Sequence, residues 1–276
     1  MIRDINGRLH LFWRLLLFIL ALTCLVAPLL VLRNALLQFL FGAVLLIGLL
    51  WVWGRWIDRA SLSNYGLALN ARIAVDFIAG IAIGIIAIAA LFAIGVQSGM
   101  VDSFAMRPGA INREFWLFLA KTLLVGFWEE SLFRGFLIYN LRNGLASRLG
   151  DRKAVTVAVA LSSLLFGLAH AGTSNFSLAA FAVLSFNGVV LALPFVWTGR
   201  LGLSIGMHAA WNFAQTKLFG FTMSGNATHG SLLAGDWSGP DVWTGGAYGP
   251  EAGFSGVIGL GIMLLLAFVI ARPQAR

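Results

Sequence analysis

The sequence predicts an all-α protein: a polytopic transmembrane helical bundle of about eight spans, with both termini cytoplasmic. Three observations carry that expectation. Apolar residues make up 59% of the 276 residues and charged residues only 11%, about half the charge that a soluble domain needs to cover its surface. The apolar residues fall in long blocks, and about 20 such residues cross a hydrocarbon core of about 30 Å as a helix. The blocks are apolar on every face, without the period-two alternation of barrel strands.

The first block, residues 11–32, follows Arg3 and Arg8 and is interrupted at its start by Arg14. It is too long for a secretory signal and lacks a small-residue cleavage site, so it is read as a retained span. Cys24 within it is the only cysteine, which excludes an internal disulfide, a Cys-ligated zinc site or an iron–sulfur cluster in one chain; it is expected in the core. Blocks 35–54 and 73–96 follow. In the third, Gly80, Gly84 and Gly95 read as a close-packing surface, and Asp76 is four residues from Arg72, the spacing of a local ion pair.

Block 115–138 carries Lys121, Glu129, Glu130 and Arg134, block 154–171 carries Phe166 and His170, and block 201–219 carries His208 and Asn212. Block 176–198 lies between the last two. The final block, 253–271, has Gly256, Gly259 and Gly261 for close packing. Residues 220–253 form the longest polar stretch, with Trp237, Trp243, Tyr248, Asp236, Asp241 and Glu251 but no Lys or Arg. That stretch is read as an outer connector whose aromatics rest at the interface, in preference to a lid.

The formal net charge is +8, yet the basic residues gather at block ends. Arg3, Arg8, Arg55, Arg59, Arg72, Arg142, Arg148, Arg152, Lys153, Arg200, Arg272 and Arg276 all fall on one side, which the positive-inside rule makes cytoplasmic. Arg33, Arg107, Arg113 and Lys217 fall on the other. No basic run is interleaved with aromatics, so a nucleic-acid partner is excluded. The chain reads as a single transmembrane domain, residues 1–276, of the cell membrane, whose first partner is the lipid bilayer.

The chemistry concentrates in three blocks. A carboxylate at the bilayer centre costs at least about 2.5 kcal/mol, so spans keep one for chemistry, transport or a paired charge. Glu130 and Arg134 are four residues apart on one helical face and can neutralise each other. Glu129 points about 100° away and lacks that partner. A desolvated carboxyl suits a general base. His170 and His208 add imidazoles, and Asn212 shares a face with His208. Together such groups can activate a water and stabilise an oxyanion, directly or through a metal. Lys121, two turns before Glu129, is assigned no role.

The runs Glu129-Glu130-x-x-x-Arg134, Phe166-x-x-x-His170 and His208-x-x-x-Asn212 resemble the signature of the CPBP intramembrane proteases, which include CAAX prenyl endopeptidases and bacteriocin-processing (Abi) proteins. The resemblance covers about residues 115–219, and Leu62 to Leu67 also looks like a segment of such proteins. It implies an intramembrane endopeptidase acting on a membrane-associated or prenylated protein or peptide. Glu129 would activate water with His170, Glu130 and Arg134 would brace the helix, and His208 and Asn212 would stabilise the oxyanion. A divalent metal such as zinc on His170 and His208, and a metal-free glutamate mechanism, are both compatible with these residues.

Two other readings stand beside it. Gly202-Leu203-Ser204-Ile205-Gly206 matches the Gly-x-Ser-x-Gly pattern of serine hydrolases, but that elbow requires a strand before a helix. A proton-coupled transporter would also keep carboxylates and histidines in its spans, and an immunity or scaffold protein would keep the fold without the chemistry. A further expectation concerns depth. Glu129 and His208 lie toward the cytoplasmic end of their blocks and His170 near the outer end of its own, so the fifth helix is expected to start before residue 154.

Overall fold

The computed structural model describes residues 9–227 and 229–271; Arg3, Arg8, Arg272 and Arg276 lie outside them. The described chain runs α1 (Leu11–Val26), α2 (Ala35–Trp53), α3 (Ala71–Gln97), β1 (Val101–Met106), α4 (Arg113–Glu130), α5 (Tyr139–Leu149), α6 (Asp151–Ala169), α7 (Leu178–Thr198), α8 (Gly202–Phe213), β2 (Leu233–Trp237), α9 (Asp241–Thr244) and α10 (Phe254–Ala271). Four helix starts are fixed by side-chain caps. Asn34, Asn70, Asn112 and Ser177 each accept a backbone N–H from the first turn of α2, α3, α4 and α7, which satisfies donors that a helix start leaves orphaned.

Six helical stretches are long and apolar enough to cross a membrane: Leu11–Val31, Ala35–Asp58, Ala71–Gln97, Asp151–Ala169, Leu178–Thr198 and Phe254–Ala271. The protein is an integral membrane protein with a polytopic helical bundle. The two remaining apolar blocks also fold as helices, but differently. α4 continues through a π-helical stretch, Ser131–Ile138, directly into α5, and this run carries the buried charges Glu130 and Arg134. α8 runs into a π-helical turn, Ala214–Leu218, and nearly every one of its residues is buried. It is the central helix.

Small residues allow that burial. Gly84 of α3 sits so close to α8 that a Cβ there would stand 2.8 Å from the Met207 carbonyl, and Gly80 is tighter still against Leu203. Gly126 of α4 does the same on the other side, 3.1 Å from the Ile205 carbonyl. Backbones approach in membrane bundles where side chains are small. Gly259 likewise abuts Leu91 and Trp211, whereas Gly261 faces open space and packs on nothing.

The helix of the fifth apolar block, α6, starts at Asp151 and ends at Ala169, so His170 is its C-cap. The expected earlier start is present, and the helix also stops short. Two other expectations fail. Cys24 is exposed, because the buried stripe of α1 is Arg14, Phe18 and Leu22 and residue 24 turns to the opposite side. Asp76 pairs not with Arg72 but with Arg200, Nε to Oδ2 at 2.6 Å, which ties α3 to the turn before α8.

Residues 220–253 are not a loose connector. β2 pairs antiparallel with β1, Trp237 packs 4.3 Å from the Phe221 ring centroid, and Tyr248 is 2% exposed. The Tyr248 hydroxyl lies 3.1 Å from the Thr173 Oγ1, three residues after His170. The segment is a folded cap. Trp237 turns inward onto α3 and Tyr248 onto the turn after α6, whereas Trp243 stays exposed.

Away from the cap, Asp58, Arg14, Tyr65 and Asn140 form a second buried polar network. Tyr65 Oη and Asn140 Nδ2 donate to Asp58 Oδ2 at 2.7 and 2.8 Å, and Arg14 Nη1 lies 3.6 Å from Oδ1. Burial and the Asp58 charge hold the Tyr65 hydroxyl well above the usual tyrosine range. The short helical turn Leu62–Tyr65 is thereby anchored, and the Gly66 carbonyl accepts the Leu201 N–H at the start of α8.

Candidate active site

Glu129 and Glu130 close α4 where the π-helical stretch begins, a helix irregularity frequent at functional sites. Glu130 and Arg134 are both fully buried and 3.1 Å apart, the pair that their four-residue spacing predicts. Arg134 Nη2 also donates to the Gly188 carbonyl of α7 at 3.2 Å, and its guanidinium lies 4.4 Å from the Phe166 ring centroid. Glu130 Oε1 in addition accepts from His208 Nδ1 at 2.8 Å. That contact joins α4 to α8 across 78 residues of sequence, and spacing within one block could not have shown it.

Glu129 is different. Its side chain is 21% exposed, and Oε2 stands 3.9 Å from His208 Nε2, beyond hydrogen-bond distance. Oε2 has no hydrogen-bond partner among the described residues. A carboxylate with a free oxygen beside an imidazole is a ready acceptor for a proton.

His170 Nδ1 lies 2.8 Å from the Phe166 carbonyl oxygen. A carbonyl only accepts, so Nδ1 carries the proton and the neutral ring keeps its lone pair on Nε2. Phe166 is 1% exposed and sets its ring edge-on to both imidazoles, 5.0 Å from His170 and 5.9 Å from His208. It is a packing wedge between the two histidines. The side chain of Asn212 has no hydrogen bond within the described residues and lines the same space.

These groups meet around one cavity of about 170 Å³. Glu129, Phe166, His170, His208 and Asn212 all line it, so α4, α6 and α8 bring the three sequence motifs together. Glu130 and Arg134 lie behind its wall. α7 contributes two residues that the sequence had not marked, Leu184 and Asn187. The Asn187 side chain is 6% exposed and its Oδ1 has no partner; a lone amide in an apolar block was the available signal.

The cap supplies another unmarked pair. Glu251 and Ser224 line the cavity, and the Ser224 N–H and hydroxyl donate to Glu251 Oε2 at 2.7 and 2.8 Å. Burial pushes the Glu251 carboxyl above the usual glutamate range, while Ser224 and the nearby His170 and His208 pull it back. Its only trace in the sequence is an acidic residue in a stretch without Lys or Arg.

Ser204 is fully buried and donates its hydroxyl to the Leu191 carbonyl at 2.7 Å. It sits on helix α8, not on a strand-to-helix elbow, and does not line the cavity. The serine hydrolase reading ends there.

Metal chemistry was the other open point. Among the described residues no three His, Cys, Asp or Glu side chains are grouped to hold an ion, and each histidine has one ring nitrogen already engaged. A catalytic zinc takes three protein ligands. His170 and His208 alone fall short of that set.

The fold and the cavity define a class: an integral membrane protein with a buried carboxylate–histidine centre built from core helices. Residues 111–214 match the family model described as Type II CAAX prenyl endopeptidase Rce1-like. That segment is similar to the CPBP, or CAAX protease, family of membrane proteases, which the match supports. The match takes in every motif residue from Glu129 to Asn212 and stops before the cap. No curated protein and no solved structure matches the chain.

Proposed function

We propose that this protein is an intramembrane endopeptidase that hydrolyses a peptide bond of a membrane-associated or lipidated protein or peptide. The observation that carries the reading is Glu129: a carboxylate with an unpaired oxygen, in a cavity shared with two imidazoles and an amide. Glu129 takes a proton from a water whose other hydrogen is held by His170 Nε2. The hydroxide so formed attacks the scissile carbonyl carbon, and the oxyanion is stabilised by Asn212 and by His208 as the imidazolium, whose Nδ1–H is held by Glu130 and whose Nε2–H donates. Glu129 then passes its proton to the leaving nitrogen as the carbon–nitrogen bond breaks. A carboxylic acid and a free amine result, and the acid's proton passes to the amine to leave a carboxylate and an ammonium.

Glu130 and Arg134 act through position. Their ion pair is dry, and Glu130 fixes the His208 ring by its Nδ1, in the manner of the second group that orients a catalytic histidine. The helices that hold these groups are the fourth, fifth and seventh of eight spans in this reading, with both termini cytoplasmic and the cell membrane as host.

The test is cleavage in vesicles. Glu129→Gln, His170→Ala and His208→Ala are expected each to abolish hydrolysis of a farnesylated peptide while the protein stays folded. Proton-driven uptake that needs the same residues, with no cleavage by the native protein, would replace the protease with a transporter.

A further inference from the structure

One amide on the cavity wall takes no part in the hydrolytic steps. Asn187 of α7 is 6% exposed and lines the cavity with Glu129, His170, His208 and Asn212. Its Oδ1 is buried, and neither end of its amide makes a hydrogen bond among the described residues. Two other buried amides leave an oxygen unpaired, but each has its nitrogen engaged. Asn140 Nδ2 donates to Asp58 Oδ2 and to the Phe136 carbonyl, and Gln215 Nε2 donates to the Thr222 carbonyl. Asn187 is idle at both ends.

An asparagine inside a membrane helix ordinarily hydrogen-bonds to a neighbouring helix. Asn187 does not, and the backbone beside it is pinned. The Gly188 carbonyl accepts from Arg134 Nη2 at 3.2 Å, and a Cβ on Gly188 would stand 2.7 Å from the Ser163 Cα of α6. α7 is thus held against rolling, with the amide fixed at the cavity wall. One turn toward the cap, Leu184 shares that face and packs with Tyr248. α7 therefore gives the cavity one apolar residue and one amide.

A peptide bound in the cavity supplies what the amide lacks. His208 and Asn212 take the scissile carbonyl, and Glu129 and His170 take the water. The peptide groups on either side of the cut bond are left without a partner from that set. A backbone N–H or C=O stripped of water requires one. An asparagine carries an acceptor and two donors, enough to take both an N–H and a C=O of an extended chain.

We propose that Asn187 is a substrate-binding residue whose amide holds the substrate backbone at a peptide group next to the scissile bond. This rests on the endopeptidase reading above and adds a contact from α7, outside the three sequence motifs.

The probes are a fluorescent farnesylated peptide and a set of analogues, each with one peptide bond replaced by an ester, which removes one backbone N–H. Cleavage at the original bond is followed in phosphatidylcholine vesicles. The native protein is expected to cleave one of the two analogues with an ester next to the scissile bond with about tenfold lower kcat/KM than the parent, mostly through KM. Asn187→Ala is expected to cleave the parent about tenfold less well and to treat parent and that ester alike. Its unfolding midpoint in detergent is expected to stay at or above the native one, because the amide has no partner in the protein to lose.

Equal cleavage of the parent and both flanking esters by the native protein would overturn the proposal, with no variant needed. So would an ester penalty that persists in Asn187→Ala. A lowered midpoint would make Asn187 structural, and a loss confined to kcat would move it to the oxyanion; either result contradicts a binding role. Cleavage of no peptide by the native protein would remove the endopeptidase reading, and fluorescence anisotropy then decides the role of Asn187 separately. Weaker binding of one ester than of the parent, equalised in Asn187→Ala, supports the contact; equal affinity across the set overturns it.

Discussion

Two buried acid–arginine networks in this protein differ in whether an acid reaches a cavity. At Asp58 one carboxylate takes hydrogen bonds from Tyr65 and Asn140 and faces Arg14, and the aspartate is wholly buried. At the cavity two adjacent carboxylates divide the work. Glu130 is dry and held by Arg134 and His208, while Glu129 is partly exposed and lines the cavity. The first network locks helices together; in the proposed mechanism the second holds one acid in place beside the one that takes the proton. A buried charge is therefore a sign of chemistry only when an acid beside it lines a cavity.

The largest expected effect separates the two networks outright. Glu129→Gln should lower kcat by about 10³-fold or more with no loss of thermal stability in detergent, measured on the same preparation. Asp58→Ala should do the reverse. Leaving Arg14 buried without its partner costs about 3–5 kcal/mol, seen as a drop in the unfolding midpoint, while the fraction that stays folded keeps its specific activity. A fully folded Asp58→Ala protein without activity would erase the distinction.

A smaller effect concerns the cap. The folded Glu251 carboxyl holds its proton more tightly than an unfolded one, so stability is greatest at low pH. It falls as pH rises from the ordinary carboxyl value of about 4.3 through the raised folded value. Hydrogen exchange of residues 220–253 against pH should show that loosening, and Glu251→Gln should flatten it. Smallest of all is Ser204→Ala. It removes one hydrogen bond worth about 1 kcal/mol and should change cleavage by less than about twofold, since Ser204 touches Leu191 and not the cavity.

Local periodicity made much of this legible. The four-residue step from Glu130 to Arg134, and the turn that sends Glu129 elsewhere, follow from helix geometry alone, and three motifs in apolar blocks pointed to one cavity. Contacts between distant segments were not legible. His208 to Glu130, and Arg200 to Asp76 across 124 residues, depend on which face each helix presents to its neighbours. For Asp76 the nearer candidate, Arg72, was the wrong one. The cap was hidden for a related reason: a Gly-rich stretch without apolar periodicity reads as loop, although β1 and the wall of α3 give it a partner surface. Cys24 shows the limit in a lipid-facing helix, where an apolar block does not say which side is inside.

The most direct measurement is the initial rate of cleavage of the farnesylated peptide in vesicles containing a chelator, for the native protein and Glu129→Gln side by side. A water activated by Glu129 predicts that the native protein cleaves at its chelator-free rate and that Glu129→Gln does not cleave. Retained activity in Glu129→Gln, or native activity that vanishes with chelator and returns with zinc, would contradict it.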